Sequence, residues 1–240
     1  YKYKEKVVDL ELRFDLTPEE SANIAFKKPG NEFEIAKERT QELKIINIRA
    51  LKKVEYFIER LIPLLKGYEE EVTNHAIHSL TLFTWCYYCS NDGAPPFKFV
   101  TKLSYSSYLG LDKNKELDDK SSKWMAILRK YSYTSFDDFD RVFAEFVQTG
   151  FLNEKDFIRE ASAKNEKLIS EKGKTSFFDS WQVYHNNFND NEEEVINSIY
   201  NSFKENILTV SRLDLNGAVT IFRELGQDQK VSEMIDLYIE

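Results

Sequence analysis

The chain has 240 residues and a net charge of −8, from 33 Lys plus Arg against 41 Asp plus Glu, which is room for one large or two small domains with a proper core. With 8 glycines and 5 prolines it holds less than half the usual ~7% and ~5% of these residues, and residues 97–240 contain no proline at all. Turn-rich sheet folds and glycine-fingerprinted nucleotide folds are therefore disfavoured within these residues, and the acidic balance without a dense basic run speaks against a general nucleic-acid binder.

Residues 4–14 alternate, with Val8, Leu10, Leu12 and Phe14 on one face, and predict a short N-terminal strand. Thr17-Pro18-Glu19-Glu20 then reads as a helix start: Thr17 as N-cap, Pro18 at the first helical position and Glu20 closing a capping box. That helix should end near Phe26, before a turn at Pro29-Gly30-Asn31. Residues 34–65 mix apolar and charged faces at helical spacing, and Asn47 is placed to cap a fresh helix inside the stretch. Pro63 and Gly67 punctuate its end.

Residues 69–89 are apolar on most sides in their second half, which predicts a buried central helix. Ser90-Asn91-Asp92-Gly93-Ala94-Pro95-Pro96 is the strongest loop signal. Residues 98–108 are ambiguous. Helices are then expected at about 116–131, 135–148, 153–171, 175–189, 191–210, 214–225 and 227–239. Ser135, Asn153 and Asn191 each stand three residues before an acid as N-caps, and Gly150, Gly173 and Gly226 stand where helices should stop. The expectation is a mostly α-helical bundle with a short N-terminal β element, divided into residues 1–66 and 67–240, with a sub-boundary near 90–97.

Several constellations bear on chemistry. Trp85-Cys86-Tyr87-Tyr88-Cys89 has thioredoxin-like spacing, but it ends a helix instead of starting one, where the dipole raises a thiol pKa. Two packed core cysteines are the simpler reading, and two cysteines make no disulfide framework. At 100° per residue His75, His78, Cys86 and Cys89 share one face, yet His75 and Cys86 are roughly 16 Å apart along the axis. Ligands lie ~2.0–2.3 Å from zinc, so one helix cannot supply all four. A half-site completed by another segment stays open, with His185 as a further donor, and no metal site is assigned. Gly173-Lys174-Thr175 ends like a phosphate loop, but Leu168 occupies the position of the required first glycine and no strand precedes it. The 34 aromatic residues include Phe136, Phe139, Phe143 and Phe146 at core-stripe spacing. No apolar run approaches a membrane span, and no secretory signal is visible, so the expected setting is cytoplasmic. The first residue, Tyr1, suggests an excised piece.

Two segments resemble a known family. The Lys-Glu-Lys-Val-Val start followed by Thr17-Pro18-Glu19-Glu20, over residues 3–26, resembles the segment after the sensor-1 strand in AAA+-related prokaryotic P-loop ATPases. Asn47-Ile48-Arg49-Ala50-Leu51-Lys52-Lys53 is similar to the sensor-2 region of their helical lid. The tail, from Asp214-Leu215-Asn216-Gly217 to Leu237-Tyr238-Ile239, is similar to the helical ends of such ATPases. The Walker strands and the sensor-1 strand of that family have no counterpart here. The resemblance implies a lid and C-terminal helical region, not catalytic alone, that senses nucleotide state and meets a protein partner or neighbouring subunit. It implies Asn47, Arg49 and Lys53 as the nucleotide-facing residues. The chain alone would carry no cofactor; ATP and Mg would belong to an N-terminal core. The alternative is a free-standing helical adaptor. The third reading, a thiol or metal enzyme built on Cys86 and Cys89, is the weakest.

Overall fold

The computed structural model describes residues 15–110, 118–186 and 192–239. Among them are twelve helices and no strand. The strand expected at 4–14 and the N-cap expected at Asn191 lie outside the described residues. The chain forms two compact units, Tyr1–Ala161 and Ser162–Glu240. Positions 66–67 and 90–97 both fall inside the first.

In the first unit, α1 (Pro18–Ala25) opens on the expected capping box: the Glu20 amide donates to Thr17 Oγ1 at 3.2 Å, and the Thr17 amide donates to Glu20 Oε2 at 2.8 Å. Next come α2 (Asn31–Glu42) and α3 (Ile48–Leu65). Lys44, at φ +54°, reverses the chain between them, and the Ile45 amide donates back to the Thr40 carbonyl at 3.0 Å. α4 (Glu70–Tyr88) is the centre of this unit, packed on α2 and α3. All eight residues from Ser79 to Cys86 are buried, so the second half of α4 is enclosed on every side, as expected of a central helix.

The ambiguous stretch resolves into two short helices, α5 (Phe97–Val100) and α6 (Tyr105–Leu109), the second capped by Ser104. α7 (Asp119–Lys130) follows, and α8 (Asp138–Thr149) packs along α4. The N-cap of α8 is Asp137, not Ser135: Asp137 and Asp140 form a capping box, while the Phe136 amide is committed to the Leu103 carbonyl at 2.9 Å. Phe139, Phe143 and Phe146 are buried together, the expected stripe. Gly150, at φ +72°, ends α8 as expected.

The largest departure is α9. It runs unbroken over Glu154–Asn186, where two helices separated at Gly173 were expected. Gly173 is not a stop but a close-approach position in the second unit. A Cβ there would stand 2.6 Å from Thr209 Oγ1 and 2.8 Å from Asn206 Oδ1. Any larger residue there would require the Thr209 and Asn206 side chains to shift.

The second unit is completed by α10 (Glu192–Glu205), α11 (Arg212–Glu224) and α12 (Asp228–Ile239). Ser211 caps α11 in a box with Asp214, and Gly226, at φ +69°, follows its end. Phe177, Ile199, Phe203, Ala218, Phe222 and Met234 form the heart of the core here.

Candidate functional site

The three residues singled out for nucleotide sensing lie at the start of α3. Asn47 is its N-cap: the Arg49 and Ala50 amides donate to Asn47 Oδ1 at 3.2 and 3.3 Å. Asn47 Nδ2 donates in turn to Asp92 Oδ2 at 3.2 Å, tying the helix start to the loop after α4. Both the oxygen and the nitrogen of the Asn47 amide are thereby engaged. Arg49 is exposed on the first turn, beside a recess of about 260 Å³ lined with Leu16, Ile46, Asn47 and Ile48. A neighbouring cavity of about 630 Å³ lies between the Leu43–Asn47 stretch and Trp85, Cys89 and Asp92. An exposed guanidinium at the positive end of an 18-residue helix favours an anion.

The lysines divide. Lys52 is used internally: its ammonium donates to the Ala25 carbonyl and pairs with Glu55 at 2.7 Å. Lys53 is exposed, 5.8 Å from the Tyr56 ring centroid and 5.9 Å from that of Tyr88. Beyond it, the Arg60 guanidinium sits 4.7 Å from the same Tyr56 ring. Arg49, Lys53, Tyr56 and Arg60 are spaced i, i+4, i+7 and i+11, which is one face of α3. Among the described residues, none of these three cations pairs with a carboxylate. The two acids of α3 face elsewhere, Glu55 to Lys52 and Glu59 to Lys28. Tyr56, Arg60, Tyr87 and Tyr88 were not among the expected site residues. The spacing of Tyr56 and Arg60 was the legible signal; the tyrosines of α4 join them only through the fold.

A second cluster sits where α4 meets α8. Asp140 is 1% exposed. Its Oδ1 accepts from Ser79 Oγ and lies 3.1 Å from His75 Nε2; its Oδ2 accepts from the Tyr133 hydroxyl at 3.0 Å and the Asp137 amide at 3.2 Å. Burial works to raise the Asp140 pKa, but His75, Ser79 and the Asp137 amide together outweigh it and hold the carboxyl below its ordinary value. The same burial and the adjacent carboxylate push the Tyr133 phenol far up. Ligand atoms of His75, Asp137 and Asp140 lie within 4.8 Å of one another, a spacing that one cation would fit. Yet each oxygen of Asp140 already faces two partners, so a cation would have to displace them. Hydrogen bonding accounts for this cluster, and no metal role is assigned to it. The carboxylate partner of His75 is thus Asp140 of α8, and not a cysteine of its own helix.

Cys86 and Cys89 are each 1% exposed and are free thiols. Burial pushes Cys86 well above the usual thiol range, and burial with Asp92 nearby pushes Cys89 up to about 11. A reactive thiolate needs the opposite shift. Lys174 and Thr175 lie within α9, with Thr175 Oγ1 donating to the Glu171 carbonyl at 3.0 Å, so the Gly-Lys-Thr run is helix and not a phosphate-wrapping loop. Beside it the second unit carries a groove of about 660 Å³, walled by Phe178, Trp181, Val210 and Leu213. Comparisons of the chain with protein-family models, with curated proteins and with solved structures find no match.

Proposed function

We propose that the chain is the lid and C-terminal helical region of an AAA+-related P-loop ATPase, and that Arg49 reads the nucleotide's phosphates. One observation carries this reading: Arg49 stands exposed on the first turn of a helix that Asn47 caps, with no carboxylate partner among the described residues. A guanidinium so placed offers paired donors to a phosphate that another part of the assembly brings to it. ATP and Mg would be held by a core outside these residues, since the Gly-Lys-Thr run here is helical. Lys53, one turn on, adds positive potential at the same end. No catalytic residue is assigned, and the work of the region is to couple nucleotide state to a partner or a neighbouring subunit.

The test is Arg49→Ala in the full-length protein. A lost charge-assisted hydrogen bond of about 1.5–3 kcal/mol corresponds to a tenfold or greater fall in hydrolysis or nucleotide affinity. Unchanged hydrolysis and affinity, with the helical content intact, would remove the sensor role.

A second reading, a free-standing helical interaction module, is favoured by the tyrosine-flanked cations further along α3. No helix among the described residues is long and apolar enough to cross a membrane.

A further inference from the structure

We infer that the surface formed by Lys53, Tyr56 and Arg60 of α3 with Tyr87 and Tyr88 at the end of α4 is a docking face for an acidic polypeptide segment of a partner protein. It goes beyond the lid reading, because Tyr56, Arg60, Tyr87 and Tyr88 have no part in nucleotide sensing.

Charge is the first argument. The protein carries −8, yet this face presents two cations, neither of which pairs with a carboxylate among the described residues. Nearby carboxylates are already engaged by Lys28 and Lys52. Cations left unpaired on an acidic protein are complementary to an anionic partner and repel other basic surfaces.

Composition is the second. Tyr56, Tyr87 and Tyr88 are 40%, 42% and 41% exposed, three large rings on one surface. Tyrosine and arginine are enriched among the residues that dominate interface energetics, and tyrosine buries much area with little loss of side-chain freedom. These rings are already positioned. Tyr87 packs against Tyr88 at 5.0 Å and against Phe97 at 5.4 Å, and the two cations flank the Tyr56 ring.

Geometry chooses the partner. Lys53 and Arg60 are seven residues apart, about 10 Å along the helix. An extended acidic run advances ~3.3 Å per residue, so carboxylates a few residues apart reach both cations. The tyrosine hydroxyls supply further donors. Single-stranded nucleic acid fits less well. Base stacking needs open ring faces, but cations lie over Tyr56, and Tyr87 meets Tyr88 edge-on at 83°. A long polyanion would also run onto the acidic remainder of the surface.

The experiment is fluorescence anisotropy of the 240-residue chain at low salt with three labelled probes: octaglutamate, octaglutamine and a twelve-residue oligothymidine. The expected result is that octaglutamate binds, octaglutamine does not, and binding weakens as salt is raised. Lys53→Glu with Arg60→Glu should weaken it at least tenfold, and Arg60→Glu alone should weaken it measurably. Lys120→Glu with Lys123→Glu makes the same change in net charge on α7 and should leave the affinity within about twofold. If the first double variant loses helical signal, Lys53→Gln with Arg60→Gln takes its place. Three results would overturn the inference: no binding of octaglutamate, equal weakening by the two double variants, or tighter binding of the oligothymidine. None of them bears on Arg49→Ala hydrolysis, so the two proposals fail separately.

Discussion

His78 and Tyr131 hold each other by reciprocal hydrogen bonds. His78 Nε2 donates to the Tyr131 carbonyl at 2.7 Å, the Tyr131 hydroxyl donates to the His78 carbonyl at 3.0 Å, and the two rings stack at 4.1 Å and 7°. The pair fastens the residue that ends α7 to the middle of α4. Removing the hydroxyl with Tyr131→Phe keeps the stacking and leaves one bond of the two. We expect a loss of about 1 kcal/mol in urea unfolding, with the slope unchanged.

The same pair gives a pH dependence. Burial holds the His78 pKa below its ordinary 6.5, so the native state binds fewer protons here than the unfolded chain. The contribution is fully present above about pH 6.5 and is lost as pH falls through the lowered value. Asp140, held below 3.8, acts in the same direction at more acidic pH. Unfolding free energy should therefore decline as pH drops from 7 to 5, and His78→Gln should flatten that slope.

Asp140→Ala should be among the most damaging substitutions in the chain. It strands the Ser79, Tyr133 and Asp137 donors and breaks the reciprocal half of the α8 capping box, while the Asp137 cap itself stays. A loss of about 3–5 kcal/mol is expected in chemical denaturation. A loss under 1 kcal/mol would show that the network is dispensable.

Thr81 offers the opposite sign. Its hydroxyl is buried in α4 with no hydrogen-bond partner among the described residues. Thr81→Val keeps the shape and removes the orphan group, so a gain of about 1 kcal/mol is expected in the same assay.

Gly173→Ala sets helix propensity against space. Alanine favours a helix interior by about 1 kcal/mol, but its Cβ would press on Thr209 and Asn206. Overpacking of this kind costs about 1–3 kcal/mol. A net loss is expected, recovered when Thr209→Ala is combined with it, as read by thermal melting.

These residues also show what was legible beforehand. Thr17, Asn47 and the buried half of α4 follow from local chemistry: a cap must precede its helix, and a helix segment apolar on most sides must be central. The cap of α8 was misplaced because Ser135 and Asp137 both stand three residues before an acid; the distant Leu103 carbonyl decides between them. Gly173 was misread because a glycine that ends a helix and one that admits a neighbour look alike in sequence. Asp140 gave no local sign of burial, since His75 and Ser79 are 65 and 61 residues away. Asn47 was legible as the cap of α3, whereas Tyr88 meets Lys53 only across two packed helices.

The central claim is that the core served by Arg49 lies outside these residues. The most direct measurement is the intact mass of the native gene product, immunoprecipitated from its source cells. A species well above 28.3 kDa, extended at the N-terminus and carrying a phosphate-binding loop, is the predicted result. A species near 28.3 kDa would contradict it.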